Sequence, residues 1–241
     1  MKAVILSAGR GSRLLPLTDT LPKCLLPVGD TTVLGHQLST LEKAGIESVT
    51  VVTGFYPHLV DAEIEARVGE MPVETLFNPF FQVADNLASC WMARHAMNDD
   101  FMLINGDTLF EYELVRSVID SAANSVQITV DEKNEGYDPD DMKVTLDGRE
   151  LRAIGKTLKA EEAHCESIGM LRFMGTGPQR FTSMLEANMR TPEGTESWFL
   201  RAIDRMAKDE GDVWTFSIKG KRWSELDTPE DYATVAALFG G

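Results

Sequence analysis

Short apolar runs alternate with longer amphipathic stretches along most of this chain, the pattern of buried strands packed under helices. Residues 2–6 read as a strand, 33–44 as a helix closed by Gly45, and 49–53 as a second buried strand. A strand, a helix and a strand in that order imply parallel pairing. A helix over 58–67, a strand over 73–77, a helix over 92–97 and an apolar strand over 101–104 continue the alternation. A helix over 113–123 and a strand over 126–130 follow. Residues 143–146 and 150–154 then alternate about Asp147-Gly148, which predicts a hairpin. Beyond it come a strand ending at Phe173, helices over 178–189 and 197–208, a strand over 213–218 and a last helix over 229–239. The expectation is an α/β fold: a Rossmann-like, doubly wound, mostly parallel sheet with a small β-hairpin region, in one domain spanning 1–241.

Composition narrows the functions such a fold would serve. The 241 residues suffice to bury one substantial core. A formal net charge of -15 argues against a general nucleic-acid surface or an anionic membrane surface, since both reward clustered Lys and Arg. Any anionic ligand must therefore be met by local positive charge. Cys24, Cys90 and Cys165 lack the paired spacing of a metal site, and neither a signal-peptide pattern nor an apolar run of membrane length is present, so a reduced cytoplasm is the expected compartment. His36, His58, His95 and His164 show neither metal spacing nor a nucleophile partner.

The local positive charge sits at the start. The first strand runs into Ser7-Ala8-Gly9-Arg10-Gly11-Ser12-Arg13, a loop whose backbone N–H groups can converge on phosphate, because glycine adopts angles that other residues avoid. Pro16 and Pro22 then bracket a stiff turn that delivers Lys23. The dinucleotide fingerprint needs a third glycine where this chain has Leu14, and no Gly-Lys-Ser/Thr follows the loop, so both familiar glycine-loop readings weaken.

Read in full, Ser-Ala-Gly-Arg-Gly-Ser-Arg-Leu-x-Pro-Leu-Thr-x-x-x-Pro-Lys-x-Leu-Leu-Pro-Val resembles the signature of the sugar-phosphate nucleotidyltransferase superfamily. Its members join an NTP to a phosphorylated small molecule with loss of pyrophosphate, on a GT-A-like nucleotidyltransferase fold. The resemblance implies that Ser7, Ala8, Gly9, Gly11 and Ser12 cradle the triphosphate, that Arg13 holds and activates it, and that Lys23 neutralises charge at the α-phosphate. It also divides the domain into a nucleotide-binding half, about 1–130, and an acceptor-binding half, about 131–241. In the superfamily the segment around Asn86 and Ser89 reads the base; amide and hydroxyl groups suit a pyrimidine edge, although Asn86 equally reads as a helix cap.

Two aspartates are candidate metal ligands. Asn105-Gly106-Asp107 follows an apolar strand, and the C-terminal strand ends are where open α/β sheets hold ligands. Mg²⁺ needs only one or two protein carboxylates beside phosphate and water, so a lone Asp107 suffices on that side. Late in the chain, Thr228 suits an N-cap, Pro229 the first helical position, and Glu230 and Asp231 the positive helix end. Asp227 is left over, and the resemblance makes it the second ligand; capping alone is the plain alternative for it, as an unliganded turn is for Asp107.

The acceptor side is less determinate. The polar run 131–141 reads as a loop over a pocket, and the resemblance gives Lys156 the acceptor's phosphate, with Lys143 in reserve. Glu166 is a candidate for an acceptor hydroxyl or ammonium, or a solvated edge charge. The compact chain, the segment 86–91 and the hairpin resemble the phosphocholine cytidylyltransferase-like branch, which uses CTP with phosphocholine, aminoethylphosphonate or inositol phosphate. Tyr137, Trp198 and Trp223 offer ring faces to a cationic head group, against the ordinary reading of tryptophan as core. The expected activity is thus Mg²⁺-dependent transfer from CTP to a phosphorylated or phosphonylated small alcohol, with small-molecule substrates as the only partners and the oligomeric state open. A sugar-1-phosphate uridylyl- or thymidylyltransferase and a non-catalytic nucleotide sensor are the alternatives.

Overall fold

The computed structural model describes residues 1–240. In chain order its elements are β1 (Lys2–Ser7), β2 (Pro27–Val28), β3 (Thr31–Thr32), α1 (Val33–Lys43), β4 (Val49–Thr53), α2 (Pro57–Ala66), β5 (Val73–Phe77), α3 (Asn86–Met92), β6 (Phe101–Asn105) and β7 (Thr108–Phe110). There follow α4 (Tyr112–Ile119), β8 (Val126–Asp131), β9 (Lys143–Asp147), β10 (Glu150–Gly155), β11 (Cys165–Phe173), α5 (Gly177–Met189), α6 (Leu200–Asp209), β12 (Val213–Ser217), β13 (Trp223–Glu225) and α7 (Pro229–Phe239).

Nine strands form one sheet in the order β5-β4-β1-β6-β11-β8-β12-β10-β9. The fold is the expected α/β class, with a mixed sheet rather than a uniformly parallel one. β5, β4, β1 and β6 run parallel, with α1 between β1 and β4, α2 between β4 and β5, and α3 between β5 and β6 along the chain. β11 pairs antiparallel with both β6 and β8, because it follows the β9–β10 hairpin and enters the sheet from the opposite end. β8 and β12 are parallel again. Strand order departs in both directions from β1, which makes the C-terminal ends of β1 and β6 the crevice where such sheets bind ligands.

Apolar side chains cover both faces. Val4, Leu103, Phe101 and Phe173 pack on one side with α3, α5 and α6, while Ile5, Val51, Ile104 and Met170 pack on the other with α1 and α4. Fully buried Arg172 donates to the carbonyls of Val118 and Ile119, satisfying the end of α4. α3 begins at Asn86, earlier than the predicted helix, since Leu87, Ala88 and Cys90 bury against the sheet; its end tightens into a 3-10 turn over Ala93–Ala96. α6 begins at Leu200 rather than 197, because Ser197, just after the 3-10 turn Gly194–Glu196, has an extended backbone at φ -118°, ψ 146°.

Candidate active site

The loop after β1 is built to present its backbone. Gly11 sits at φ 72°, ψ 48°, and a Cβ there would press on Lys23 Cβ at 2.9 Å, so glycine lets the loop lie directly against the lysine segment. Thr18 Oγ1 donates to the Gly11 carbonyl at 2.7 Å and holds the turn. No acceptor among the described residues takes the backbone N–H groups of Gly9, Arg10, Gly11, Ser12 or Arg13. That is a row of free donors suited to an anion.

Lys23 stands beside this row and joins the two candidate metal ligands. Its Nζ donates to Asp107 Oδ2 at 2.7 Å and to Asp227 Oδ1 at 2.5 Å. Arg13 reaches the other oxygen, Asp227 Oδ2, at 2.8 Å, and Asp140 Oδ2 at 3.3 Å. A small antiparallel ribbon explains the meeting: β7 pairs with β13 in the register Thr108 to Glu225, and Leu226 N donates to the Asp107 carbonyl at 3.0 Å. Gly106 fixes the start of that ribbon, since a side chain there would collide with Ser7 and the Leu6 carbonyl. Thr228 and Asp231 form a capping box at the start of α7, and Asp231 Oδ2 also accepts from Asp227 N at 2.9 Å. The Asp227 side chain is left outside the cap, as the sequence suggests.

The electrostatics follow from this packing. Burial lowers the Lys23 pKa, but the carboxylates of Asp107 and Asp227 outweigh it and hold the ammonium above its ordinary value. Burial pushes the Asp227 carboxyl up, and Lys23, Arg13 and Lys156 overcome that and hold it below the usual range.

Among the described residues no three His, Cys, Asp or Glu side chains group to hold a metal ion by themselves. Two carboxylates are available, and Asp107 Oδ1 is buried with no hydrogen-bond partner. A hard cation that keeps several waters and shares its remaining positions with phosphate suits such a donor set, so the residues fit Mg²⁺.

Two cavities meet at this cluster. The first, about 370 Å³, is lined by the loop together with Lys23, Asn86, Ser89, Asp107 and Trp198. Ser89 Oγ accepts from Asn78 Nδ2 at 3.0 Å, and Asn86 Oδ1 accepts from Phe199 N at 2.9 Å. Asn86 therefore caps the start of α6 rather than α3, and still lines the cavity. The second, about 760 Å³, lies under the 131–141 loop and is lined by eight carboxylates and two basic side chains. Arg13 and Asp227 line both. Lys156 spans the rim between them, with Nζ 3.6 Å from Asp140 Oδ1 and 4.9 Å from the centre of the Trp198 ring.

Three acceptor-side expectations change. Lys143 is 2% exposed, and its Nζ donates to the carbonyls of Asp138, Pro139 and Asp141, so it supports the loop from below and has no free proton for a substrate. Tyr137 lies outside the lining of both cavities, because its hydroxyl donates to the His164 carbonyl at 2.9 Å. Trp198 borders the first cavity, not the acidic one. Glu166 does line the acidic cavity; burial, with Asp141 nearby, outweighs its 2.9 Å pairing with Lys133 and pushes its carboxyl up to about 7. Glu225 lines it too and went unassigned in the sequence, although alternation along β13 places Trp223 and Glu225 on the face that continues to Asp227.

Residues 2–137 match the Nucleotidyl transferase family. The chain belongs to that family. Among this nucleotidyl transferase's relatives is the mannose-1-phosphate guanylyltransferase of Mycobacterium tuberculosis, 27% identical over an alignment covering 98% of this chain and 63% of that protein. Another is the choline-phosphate cytidylyltransferase of Streptococcus pneumoniae, 24% identical over 99% of this chain and 98% of that one. Of two further relatives the chain spans only 18% and 52% of the length. The solved structure of the inositol-1-phosphate CTP transferase from T. maritima superposes with a TM-score of 0.84 at 18% identity, covering 99% of this chain and 95% of that one, which shows a shared fold. No helix among the described residues is long and apolar enough to cross a membrane.

Proposed function

We propose that the chain is a Mg²⁺-dependent cytidylyltransferase that joins CTP to a phosphorylated or phosphonylated small alcohol and releases pyrophosphate. The observation that carries this reading is the Lys23 ammonium held between Asp107 and Asp227, beside a row of free backbone donors in the first cavity, with Asp227 on the wall that both cavities share. The first cavity takes the nucleotide. Its triphosphate lies along the N–H groups of residues 9–13, and Arg13 and Lys23 add positive charge. The Asn86 amide NH₂ makes no hydrogen bond within the described residues, which leaves it free for a cytosine carbonyl.

The acceptor enters from the second cavity, with its phosphoryl group at Lys156 and Arg13. An acceptor oxygen attacks the α-phosphorus, the bond from that phosphorus to the bridging oxygen breaks, and pyrophosphate leaves with the electron pair. Arg13 and Lys156 screen repulsion between the two anions, and Lys23 compensates the charge that grows on the α-phosphoryl oxygens. Bound at Asp107 and Asp227, Mg²⁺ would supply further charge neutralisation and orientation of the phosphates. No covalent protein intermediate is required.

The similarity of nearly the whole chain to 63% of a mannose-1-phosphate guanylyltransferase supports a second reading, transfer to a sugar 1-phosphate. Pyrophosphate release with Mg²⁺ separates the two, using CTP, UTP, dTTP, GTP and ATP against phosphocholine, 2-aminoethylphosphonate, inositol phosphate and hexose 1-phosphates. The cytidylyltransferase reading expects CTP with a non-sugar acceptor to dominate. Preference for a sugar 1-phosphate overturns it, and nucleotide binding without turnover would favour a sensor.

A further inference from the structure

The acidic cavity has a feature that a merely negative surface lacks. Glu166 is 4% exposed, and its Oε1 is buried without a hydrogen-bond partner, in the lining of that cavity. Its other oxygen is taken by Lys133 Nζ at 2.9 Å, and Lys133 also meets Asp141 Oδ2 at 2.8 Å. The Glu225 carboxyl group lines the same cavity and makes no hydrogen bond within the described residues. Two carboxyl groups thus line the cavity; burial pushes Glu166 up to about 7, so the free chain holds a proton there part of the time near neutral pH and a bound cation would keep it ionised. A buried acceptor left unpaired is costly; protonation relieves that cost in the free chain, and a ligand that donates a hydrogen bond relieves it with the carboxylate ionised.

Aromatic surface is scarce by comparison. Trp223 is the one ring in the lining, and its Nε1 is committed to Asp131 Oδ2 at 2.7 Å. Quaternary ammonium groups, which have no N–H, are recognised by several ring faces together. A single ring opposite unpaired carboxylates is a poor quaternary site and a good site for –NH₃⁺. Lys133 gives an internal example: a primary ammonium bridges Glu166 and Asp141 in this very wall.

We infer that the acidic cavity selects acceptors ending in a primary ammonium, which donates to Glu166 and Glu225, over otherwise identical acceptors ending in a quaternary one. The inference rests on the reading of this cavity as the acceptor side of a cytidylyltransferase. The acceptor class is then an aminoalkyl phosphate or phosphonate.

Calorimetric titration of the full chain with three probes of similar length tests it, each run alone and with CTP and Ca²⁺ present. The probes are 2-aminoethylphosphonate, its N,N,N-trimethyl analogue, which keeps the charge without N–H donors, and propylphosphonate, which has neither. The expected result is affinity for the amine greater than for either other probe by on the order of tenfold. Equal affinity for the trimethyl analogue overturns selection by hydrogen bonding, equal affinity for propylphosphonate overturns the cation site, and absence of binding by all three overturns both. In Glu166→Gln the amine's advantage should shrink on the order of tenfold while CTP affinity stays unchanged; undiminished selectivity removes Glu166 from the site. Should that variant fail to fold, the three-probe comparison on the native chain still decides. If the expected order of affinities holds while CTP yields no pyrophosphate with the amine, the cytidylyl reading falls and the ammonium site stands.

Discussion

Lys23 and Asp107, 84 residues apart in the chain, meet at 2.7 Å. The same ammonium touches Asp227, so one lysine ties the end of the phosphate loop to both carboxylates of the candidate metal site. Three segments distant in sequence are locked by one side chain before any ligand arrives. Preorganised charge of this kind acts without reorganising as the transition state forms.

Lys23→Ala should therefore lower kcat by about 10²–10³-fold while changing the KM for nucleotide far less, since its charge is needed most as the α-phosphate accumulates negative charge. Initial rates across CTP concentration check this. A near-normal kcat would remove Lys23 from the chemistry. The variant also leaves Asp107 without a cationic partner and Asp227 with Arg13 alone, so its melting temperature should rise more with added Mg²⁺ than that of the native chain.

Asp107→Asn and Asp227→Asn should each reduce turnover by at least about 10²-fold, and the double variant should lose far less than the product of the two, because both serve one centre. Chelation with EDTA should abolish turnover of the native chain and Mg²⁺ should restore it. Multiplicative losses in the double variant, or full activity in EDTA, would separate these aspartates from a common metal. Pyrophosphate release measures both.

Much of this site was readable from local signals. Gly11 needs a left-handed backbone, Thr228 and Pro229 mark a helix start, and Asp227 is the carboxylate left outside that cap. The pairing of β7 with β13 was not readable: each is three residues long, too short for periodicity to register, and their partnership spans more than a hundred residues. Without that ribbon no local signal brings Asp107 to Asp227, and only the resemblance to the superfamily paired them. Lys143 misleads for a related reason. A lysine opening a hairpin strand looks available to a phosphate, and only the path of the 131–141 loop beneath which it lies shows that three carbonyls already take its protons. The reversal of β11 was hidden too, since a buried strand has the same composition whichever way it runs.

Lys143→Ala should accordingly behave as a structural change. Three carbonyls lose a buried charged donor, and a loss of about 3 kcal/mol in unfolding free energy is expected. Because those carbonyls belong to the loop over the acidic cavity, the KM for the acceptor should rise while that for CTP stays near its native value. Lys156→Ala, at a partly exposed site on the rim, should raise the acceptor KM with little change in stability. Urea unfolding and steady-state kinetics on both variants distinguish them, and equal stability for the two would contradict the supporting role of Lys143.

Glu166 makes stability depend on pH in a direction opposite to that of an ordinary paired carboxylate. Its folded-state value is pushed up to about 7 from an ordinary 4.5, chiefly by burial. Between those values the folded chain keeps the proton that the unfolded chain has already released, so the folded state binds more protons and unfolding free energy falls as pH rises. The contribution is fully present below about pH 4.5 and lost above about pH 7. Glu166→Gln carries no titrating proton and should remove this slope. Lys133 still has Asp141 as a partner in that variant, at 2.8 Å, which limits the cost of the change. The variant should match or fall slightly below the native chain at pH 5 and exceed it in stability at pH 8. Chemical denaturation at pH 5, 6, 7 and 8 reads the difference directly; parallel curves for the two proteins would mean that Glu166 is ionised in the folded chain throughout, with Lys133 outweighing burial.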